Sequence, residues 1–306
     1  MYELLILGGG PAAVSAGIYA GRKRIKTVIV TDNFSGQSIV SDKIENWIGT
    51  KEISGFDLAK SMEDHLRSQQ GIEIVDGELG QLIERIEGGF SVKTPSGKAF
   101  ETKAVVIATG GRHRKLGIPG EDKFEGRGVV FCSTCDAPLF RGREIAVVGG
   151  GNAGLEAVID LIPYASKIHL IVRADKIKGD PQTFDMVKAS DKVSIIYNAT
   201  PKEILGDSFV SAIKYTDTAS NEEKEITVQG VFVEVGTVPN SDMVKGLVEL
   251  GEKNEIKIDC RTGRSSVLGI WAAGDVSDAP YKQNNIAAGD GIKAVLNVYD
   301  WLRNGK

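Results

Sequence analysis

Cys132-Ser133-Thr134-Cys135-Asp136 is the segment whose residue types and spacing point most directly to chemistry. Two thiols separated by two residues can close a small disulfide, and a thiolate of lowered pKa can attack another disulfide. Asp136 adds a carboxyl beside the pair, suited to moving the proton such an exchange requires and equally suited to capping a helix or closing a turn. The same spacing is also half of a zinc site. Zinc takes four ligands, no second CxxC exists, and His65, His113, His169 and Cys260 are scattered singly. The pair therefore reads as redox rather than metal-binding, and no metal is expected. Cys260, in the strand-like context EIKIDCRTGRSS, reads as a small packed residue.

An internal repeat supplies the elements that must position this pair. Residues 4–20 (LLILGGGPAAVSAGIYA) align without a gap to residues 145–161 (IAVVGGGNAGLEAVIDL), each an apolar run, a triple glycine, then apolar residues at helical spacing. With one residue of slippage the repeat continues into KTVIV (26–30) and IHLIV (168–172), giving two βαβ units. In such a unit Gly8 and Gly149 permit the tight turn, and Gly10 and Gly151 let a diphosphate approach the backbone. Ala13 and Gly154 let helix and strand pack closely. The helix N-termini opening at Pro11-Ala12 and Asn152-Ala153 supply amide donors and a positive dipole end. Asp32, 24 residues after Gly8, stands where a carboxylate accepts ribose hydroxyls, as FAD offers. The second unit has Arg173-Ala174 there, with Asp175, Lys176 and Lys178 beyond. That leans towards a 2′-phosphate and NADPH, against the plainer reading of a charged loop.

A chain of 306 residues predicts two domains, and 37 glycines, about 12% against the usual 7%, suit glycine-dependent turns. A net charge of −4 argues against a broad nucleic-acid footprint. Three cysteines make no disulfide framework, which suits an intracellular chain. The longest uncharged stretch, 4–20, follows Glu3 rather than a basic segment, contains Gly8-Gly9-Gly10-Pro11 and is too short to span a bilayer. No membrane association is expected, and the location is cytoplasmic. Alternating segments at 71–106 read as antiparallel strands inserted before AVVIATGG returns to the first sheet, and KEITVQGVFVEVGTVPN closes the second unit similarly. LGIPGE and GTVPN suit paired linkers, giving a first domain of 1–115 continued by 240–306, with a second domain, 116–239, inserted in it.

The set GGGPAA, SGQ with IENWIG, ATGGRHRKLGIPGE, CSTCD, GGGNAGLEA, GTVPN and AAGDVSDAPYKQ resembles the low-molecular-weight thioredoxin reductases over essentially the whole chain. The ending DAPYKQNNIAAGDGIKAVL is similar to the reductase portion of the alkyl hydroperoxide reductase flavoproteins, whose additional N-terminal thioredoxin-like region is expected to be missing here. The resemblance implies an α/β fold of two Rossmann-like three-layer domains with antiparallel β insertions. It also implies FAD in the first domain, NADPH or NADH in the inserted one, a homodimer, and a thioredoxin-like dithiol protein as partner. By motif, Gly8, Gly10, Ala13 and Asp32 hold the adenosine and diphosphate end of FAD, while Gln37, Asn46 and Thr109-Gly110 approach the flavin. Gly274-Asp275 meets the ribityl chain, and Lys282-Gln283-Asn284 falls where the family has Arg-Gln-Ala near the isoalloxazine ring. Cys135 corresponds to the partner of flavin C4a, Cys132 to the thiol that attacks the protein substrate, and Asp136 to the acid catalyst.

In that family the inserted domain rotates on its linkers, because nicotinamide and disulfide must meet one flavin in turn. Two positions depart from the pattern. Val172-Arg173-Ala174 and Lys178 replace a His-Arg-Arg segment and a further Arg, which leaves NADPH, NADH or a non-nicotinamide donor such as ferredoxin open. CDAP replaces CDG, so Ala137 would be strained if the glycine's role were a positive φ. The competing functions are an NAD(P)H oxidase or ferredoxin–NADP reductase, against which CSTCD argues, and a non-catalytic flavin-bound redox sensor.

Overall fold

The structure is a computed structural model that describes residues 1–34, 36–41 and 44–305, with the backbone alone at Val40. The chain packs as two units, Met1–Arg112 with Val238–Lys306, and His113–Thr237.

The first unit is built on a sheet of seven strands. β1 (Tyr2–Leu7) leads through the glycine turn into α1 (Pro11–Arg22) and β2 (Thr27–Thr31); after α2 (Gly55–Arg67) come β3 (Ile72–Asp76), β4 (Leu82–Ile86), β5 (Gly89–Lys93) and β6 (Ala99–Ile107). The reading of 71–106 as wholly antiparallel needs one correction. IEIV forms β3, which pairs parallel to β2 with Thr27 beside Ile72, because α2 supplies the crossover that parallel neighbours require. Only β4, β5 and the first half of β6 form the antiparallel insertion. β6 also runs parallel to β1, and its last residues pair with β17 (Ile270–Ala272), far later in the chain.

Side-chain alternation divides the core into two faces. Leu4, Ile6, Ala104 and Val106 pack towards α1 and α6 (Asn284–Asn304), while Leu5, Leu7, Val105 and Ile107 pack on Val244, Val248 and Ile256. Helices α1 and α6 touch closely enough that a side chain on Gly291 would strike the Ala12 carbonyl and the Ser15 hydroxyl. Ser15 Oγ donates to the Ala288 carbonyl at 2.7 Å.

The chain crosses between the units at β7 (Gly111–His113) and again at β16 (Thr237–Pro239), and the two strands pair as one ribbon. Between them β8 (Val129–Val130), β9 (Glu144–Val148), β10 (Lys167–Ile171), β11 (Val193–Ile196) and β15 (Val231–Val233) form a parallel sheet in the order β11-β10-β9-β15-β8. α3 (Ser133–Asp136) precedes β9, α4 (Asn152–Leu161) follows it, and α5 (Pro181–Lys188) precedes β11. Ile145, Val147 and Leu170 face Leu155 and Val158 of α4. Ala146, Val148 and Ile171 face the antiparallel sheet of β12 (Ala199–Gly206), β13 (Val210–Asp217) and β14 (Glu222–Thr227). Helix, parallel sheet and antiparallel sheet are thus stacked in three layers.

Candidate active site

In the second unit Cys132 and Cys135 form a disulfide. Cys132 is the extended residue that starts α3; its Sγ accepts the Cys135 N–H at 3.2 Å and its carbonyl accepts the Asp136 N–H at 3.0 Å. The spacing of the pair is thereby locked into one helical turn. Asp136 is buried, its side chain caps nothing, and burial pushes its carboxyl up to about 6. A carboxyl so placed holds a proton more readily than an exposed one, the property an acid catalyst needs. The strain anticipated at Ala137 is absent. Its φ of −51° and ψ of −41° are ordinary helical values, because the turn simply continues into a short 3-10 segment, Ala137–Phe140. The expectation for Cys260 is also overturned. The Asp259 carboxylate accepts the N–H groups of Arg261 and Thr262, pulling the segment into a turn that leaves Cys260 exposed and unpaired.

The two glycine turns have the same construction. Gly8 (φ +118°) and Gly149 (φ +147°) adopt a backbone that side chains rarely allow, and a Cβ there would strike the carbonyl of Ala108 or of Glu234. Gly10 and Gly151 have open space where a side chain would stand, and neither α1 nor α4 has a side chain capping its first turn. A diphosphate can therefore approach each helix N-terminus. Ala13 is fully buried, and a side chain on Gly154 would hit the Gly149 carbonyl. Pro11 and Asn152 open the helices, followed by Ala12 and Ala153, and Asn152 Oδ1 accepts the Asp180 N–H at 2.7 Å.

Beyond the second strands the units diverge. Asp32 is exposed, with Asn33 Nδ2 2.9 Å from its carboxylate. Arg173 and Lys178 are exposed, no carboxylate pairs with them among the described residues, and the Lys178 N–H ties their loop to the Gly150 carbonyl at 2.8 Å.

Residues distant in sequence converge in the first unit. Gln37 Nε2 donates to Asp275 Oδ2 at 3.2 Å, and Asn46 Nδ2 to Gln283 Oε1 at 3.3 Å. Asn285 spans the Asn46 carbonyl and the Ile48 N–H. Lys282 Nζ reaches the Ser277 carbonyl at 2.5 Å and lies 3.9 Å from Glu255. Gly274 (φ +72°) abuts Ala12 and Ala287, bringing Asp275 to the start of α1. Burial raises the Asp275 carboxyl, against the opposing pull of Lys282 and Gln37. Thr109 Oγ1 donates to the Asn240 carbonyl at 2.6 Å, Asn240 Nδ2 returns a bond to the Thr109 carbonyl, and Gly110 takes a φ of +63°. A shallow solvent-open groove runs along Pro11, Gly36, Gln37, Gly55 and Asn284. An open helix N-terminus beside a half-buried carboxyl and several neutral amides fits a diphosphate joined to a hydroxylated chain and a polar ring, the chemistry of FAD.

These features match a known family. A sequence profile described as "Pyridine nucleotide-disulphide oxidoreductase" matches residues 2–291. The chain belongs to the pyridine nucleotide-disulphide oxidoreductase family. Thioredoxin reductase from Streptococcus pyogenes MGAS5005 superposes with a TM-score of 0.92 at 35% identity, covering 99% of this chain and 98% of that one. The alkyl hydroperoxide reductase F subunit of Pseudomonas putida is 40% identical over 304 residues, covering 98% of this chain and 58% of that protein. A Bacillus subtilis protein named NADH dehydrogenase is 38% identical over 301 residues, again 98% and 58%. The chain thus spans about 58% of the length of these curated relatives. Membership implies a thioredoxin reductase-like flavoprotein oxidoreductase that uses FAD and a nicotinamide nucleotide, on a fold of two Rossmann-like domains. Among the described residues no helix is long and apolar enough to cross a membrane, and no cluster of His, Cys, Asp and Glu could hold a metal.

One residue of these sites escapes sequence reasoning: Asn240, which clasps Thr109, lies in GTVPN, which reads only as a linker.

Proposed function

We propose that this chain is an FAD-dependent disulfide reductase that passes electrons from NADPH or NADH, through the flavin and the Cys132–Cys135 disulfide, to thioredoxin or a related small dithiol protein. The observation that carries this reading is the disulfide itself, followed by the buried Asp136, in the unit that also contains the Gly149–Gly154 turn. FAD, when bound, supplies a two-electron carrier between a hydride donor and a disulfide. The chain's own residues do the rest. Gly8, Gly10 and the start of α1 hold the diphosphate, and Asp32 the ribose. Asp275 meets the ribityl chain, with Gln37, Asn46, Thr109, Gly110, Lys282 and Gln283 on the ring side. Gly149, Gly151 and α4 hold the nicotinamide nucleotide, with Arg173 and Lys178 positioned for a 2′-phosphate.

In the exchange, Cys132 as thiolate attacks one sulfur of the partner disulfide, forming a mixed disulfide and expelling the other partner sulfur as thiolate. Cys135 then attacks Cys132 Sγ, restoring the Cys132–Cys135 disulfide and releasing the second partner sulfur. The two protons lost from the cysteines go to the two partner sulfurs, and Asp136 is the group that relays one of them. The same reading takes the protein as a cytoplasmic homodimer. The similarity to the alkyl hydroperoxide reductase F subunit favours a second partner class, a dithiol module that serves peroxide reduction.

Anaerobic stopped-flow mixing with NADPH and NADH separately, followed by thiol counting, tests the proposal. Flavin bleaching followed by two new thiols per chain, lost in Cys135→Ser, is expected. Bleaching by dithionite but by neither nucleotide would overturn the nicotinamide assignment and point to a carrier such as ferredoxin.

A further inference from the structure

Asp160 occupies the last turn of α4, where a negative charge opposes the helix dipole and costs stability. Its contacts lie elsewhere. Asp160 Oδ2 accepts both hydroxyls of the redox turn, Ser133 Oγ at 2.8 Å and Thr134 Oγ1 at 3.2 Å. The two residues between the cysteines are therefore tied to one carboxylate oxygen on the helix that begins at the second dinucleotide turn. A second acid stands behind the first. The carboxyl of Glu234, just beyond β15, is favoured in its ionised form by the Ser133 N–H and disfavoured by the charges of Asp160 and Glu156 and, most of all, by burial. No cation pairs with Asp160 or Glu234 among the described residues.

This arrangement acts on the sulfurs in two ways. Hydroxyl protons committed to Asp160 cannot be donated to a cysteine sulfur, so the turn withholds the hydrogen bonds that would stabilise a thiolate. Negative charge beside the turn disfavours a second negative charge on Cys132. We propose that Asp160 is a positioning residue for the Cys132–Cys135 couple that suppresses the thiolate of Cys132 and so makes the reduced pair a stronger reductant. The link to electron transfer rests on the disulfide-reductase reading. A couple whose thiolate is destabilised has a lower reduction potential, as a protein that hands electrons on requires.

The test uses the full-length, flavin-loaded protein reduced with dithiothreitol and freed of excess reductant. Alkylation by iodoacetamide, in which the Cys132 S–C bond forms and iodide leaves, is followed at Cys132 by mass spectrometry across pH. The potential is measured against dithiothreitol redox buffers. Asp160→Asn keeps an acceptor for both hydroxyls but removes the charge; it is expected to alkylate roughly three- to tenfold faster at neutral pH and to raise the potential by up to about 30 mV, the equivalent of a tenfold change in equilibrium constant. Asp160→Ala, which also frees the hydroxyls, is expected to shift further, and Asp160→Glu to return towards the parent. Glu234→Gln, on a separate element, is expected to leave the rate at neutral pH unchanged and to speed alkylation only above about pH 8, since burial pushes the Glu234 carboxyl up to about 8; that alkaline limb supplies the test if the Asp160 variants do not fold. Unchanged profiles and potentials, or slower alkylation in the charge-removing variants, overturn the proposal. None of these measurements involves a nicotinamide donor or a protein partner, so a failure of the reductase reading would show separately, as normal thiol behaviour without turnover.

Discussion

The two glycine turns are nearly superimposable in logic and opposite in what stands beside them. In each, a positive-φ glycine presses on a carbonyl one residue past the end of the neighbouring strand, Ala108 after β6 in one unit and Glu234 after β15 in the other. In each, that residue's N–H bonds back to the last residue of the first strand, Ala108 to Leu7 at 2.8 Å and Glu234 to Val148 at 2.9 Å. The repeat thus fixes the backbone and leaves one side chain free to differ. Alanine in the first unit leads into the neutral Thr109-Gly110 turn, whereas glutamate in the second turns an acid towards the redox helix. The two βαβ units thus share one backbone construction and differ in the residue that follows the adjacent strand, Ala108 in one and Glu234 in the other.

The sharpest way to separate the units is at the sulfurs. Cys135→Ser is expected to lower turnover with a dithiol partner at least a thousandfold while flavin bleaching by the nucleotide persists, as read by stopped-flow absorbance. Next come the cradles themselves. Gly8→Val forces a side chain into a disallowed backbone and a carbonyl, and should give a colourless protein destabilised by about 2–4 kcal/mol. Gly149→Val should stay yellow and lose nucleotide binding, as read by flavin absorbance and titration calorimetry; equal loss of flavin in both would break the comparison.

Asp136→Asn is expected to slow disulfide exchange by about a hundredfold, within the usual range for losing a general acid–base group. It should also reshape stability against pH. Asp136 has a native-state pKa raised from 3.8 to about 6, so folding favours its protonated form. The stability this confers is complete below about pH 4, is lost as pH rises to about 6, and stays lost above it. Urea unfolding should therefore find the variant up to about 3 kcal/mol more stable than the parent at pH 8, relative to the difference at pH 4. The smallest effect is at the second-unit loop, where Arg173→Ala is expected to raise KM for NADPH about tenfold and leave KM for NADH nearly unchanged. Equal changes for both nucleotides would remove the 2′-phosphate role.

The repeat made both βαβ units legible, because a triple glycine between a strand-like and a helix-like run leaves few alternatives. β3 was harder to read. IEIV alternates as an antiparallel edge strand does, and its parallel pairing depends on the α2 crossover rather than on its own residues. Ala137 misled for a related reason, since the backbone a glycine might supply is dictated by the following turn. Side-chain meetings such as Gln37 with Asp275, or Asp160 with Ser133, join residues separated by 238 and 27 positions. Neither distance nor direction for such pairs is written in local pattern, so a motif places a residue near a cofactor without saying which neighbour it will touch.

The α1–α6 contact also has a consequence in time. The cradle helix of the first unit is backed by the stretch 284–304, and β6 lacks its β17 neighbour until residue 272 has been made. The second unit, by contrast, is one continuous segment. During synthesis the redox turn and its nucleotide cradle are therefore complete while the first cradle still lacks its backing, and exposed apolar faces of α1 wait for the last part of this sequence. Chains of this sequence ended at residue 240 and released from the ribosome should accordingly form the Cys132–Cys135 bond while remaining colourless.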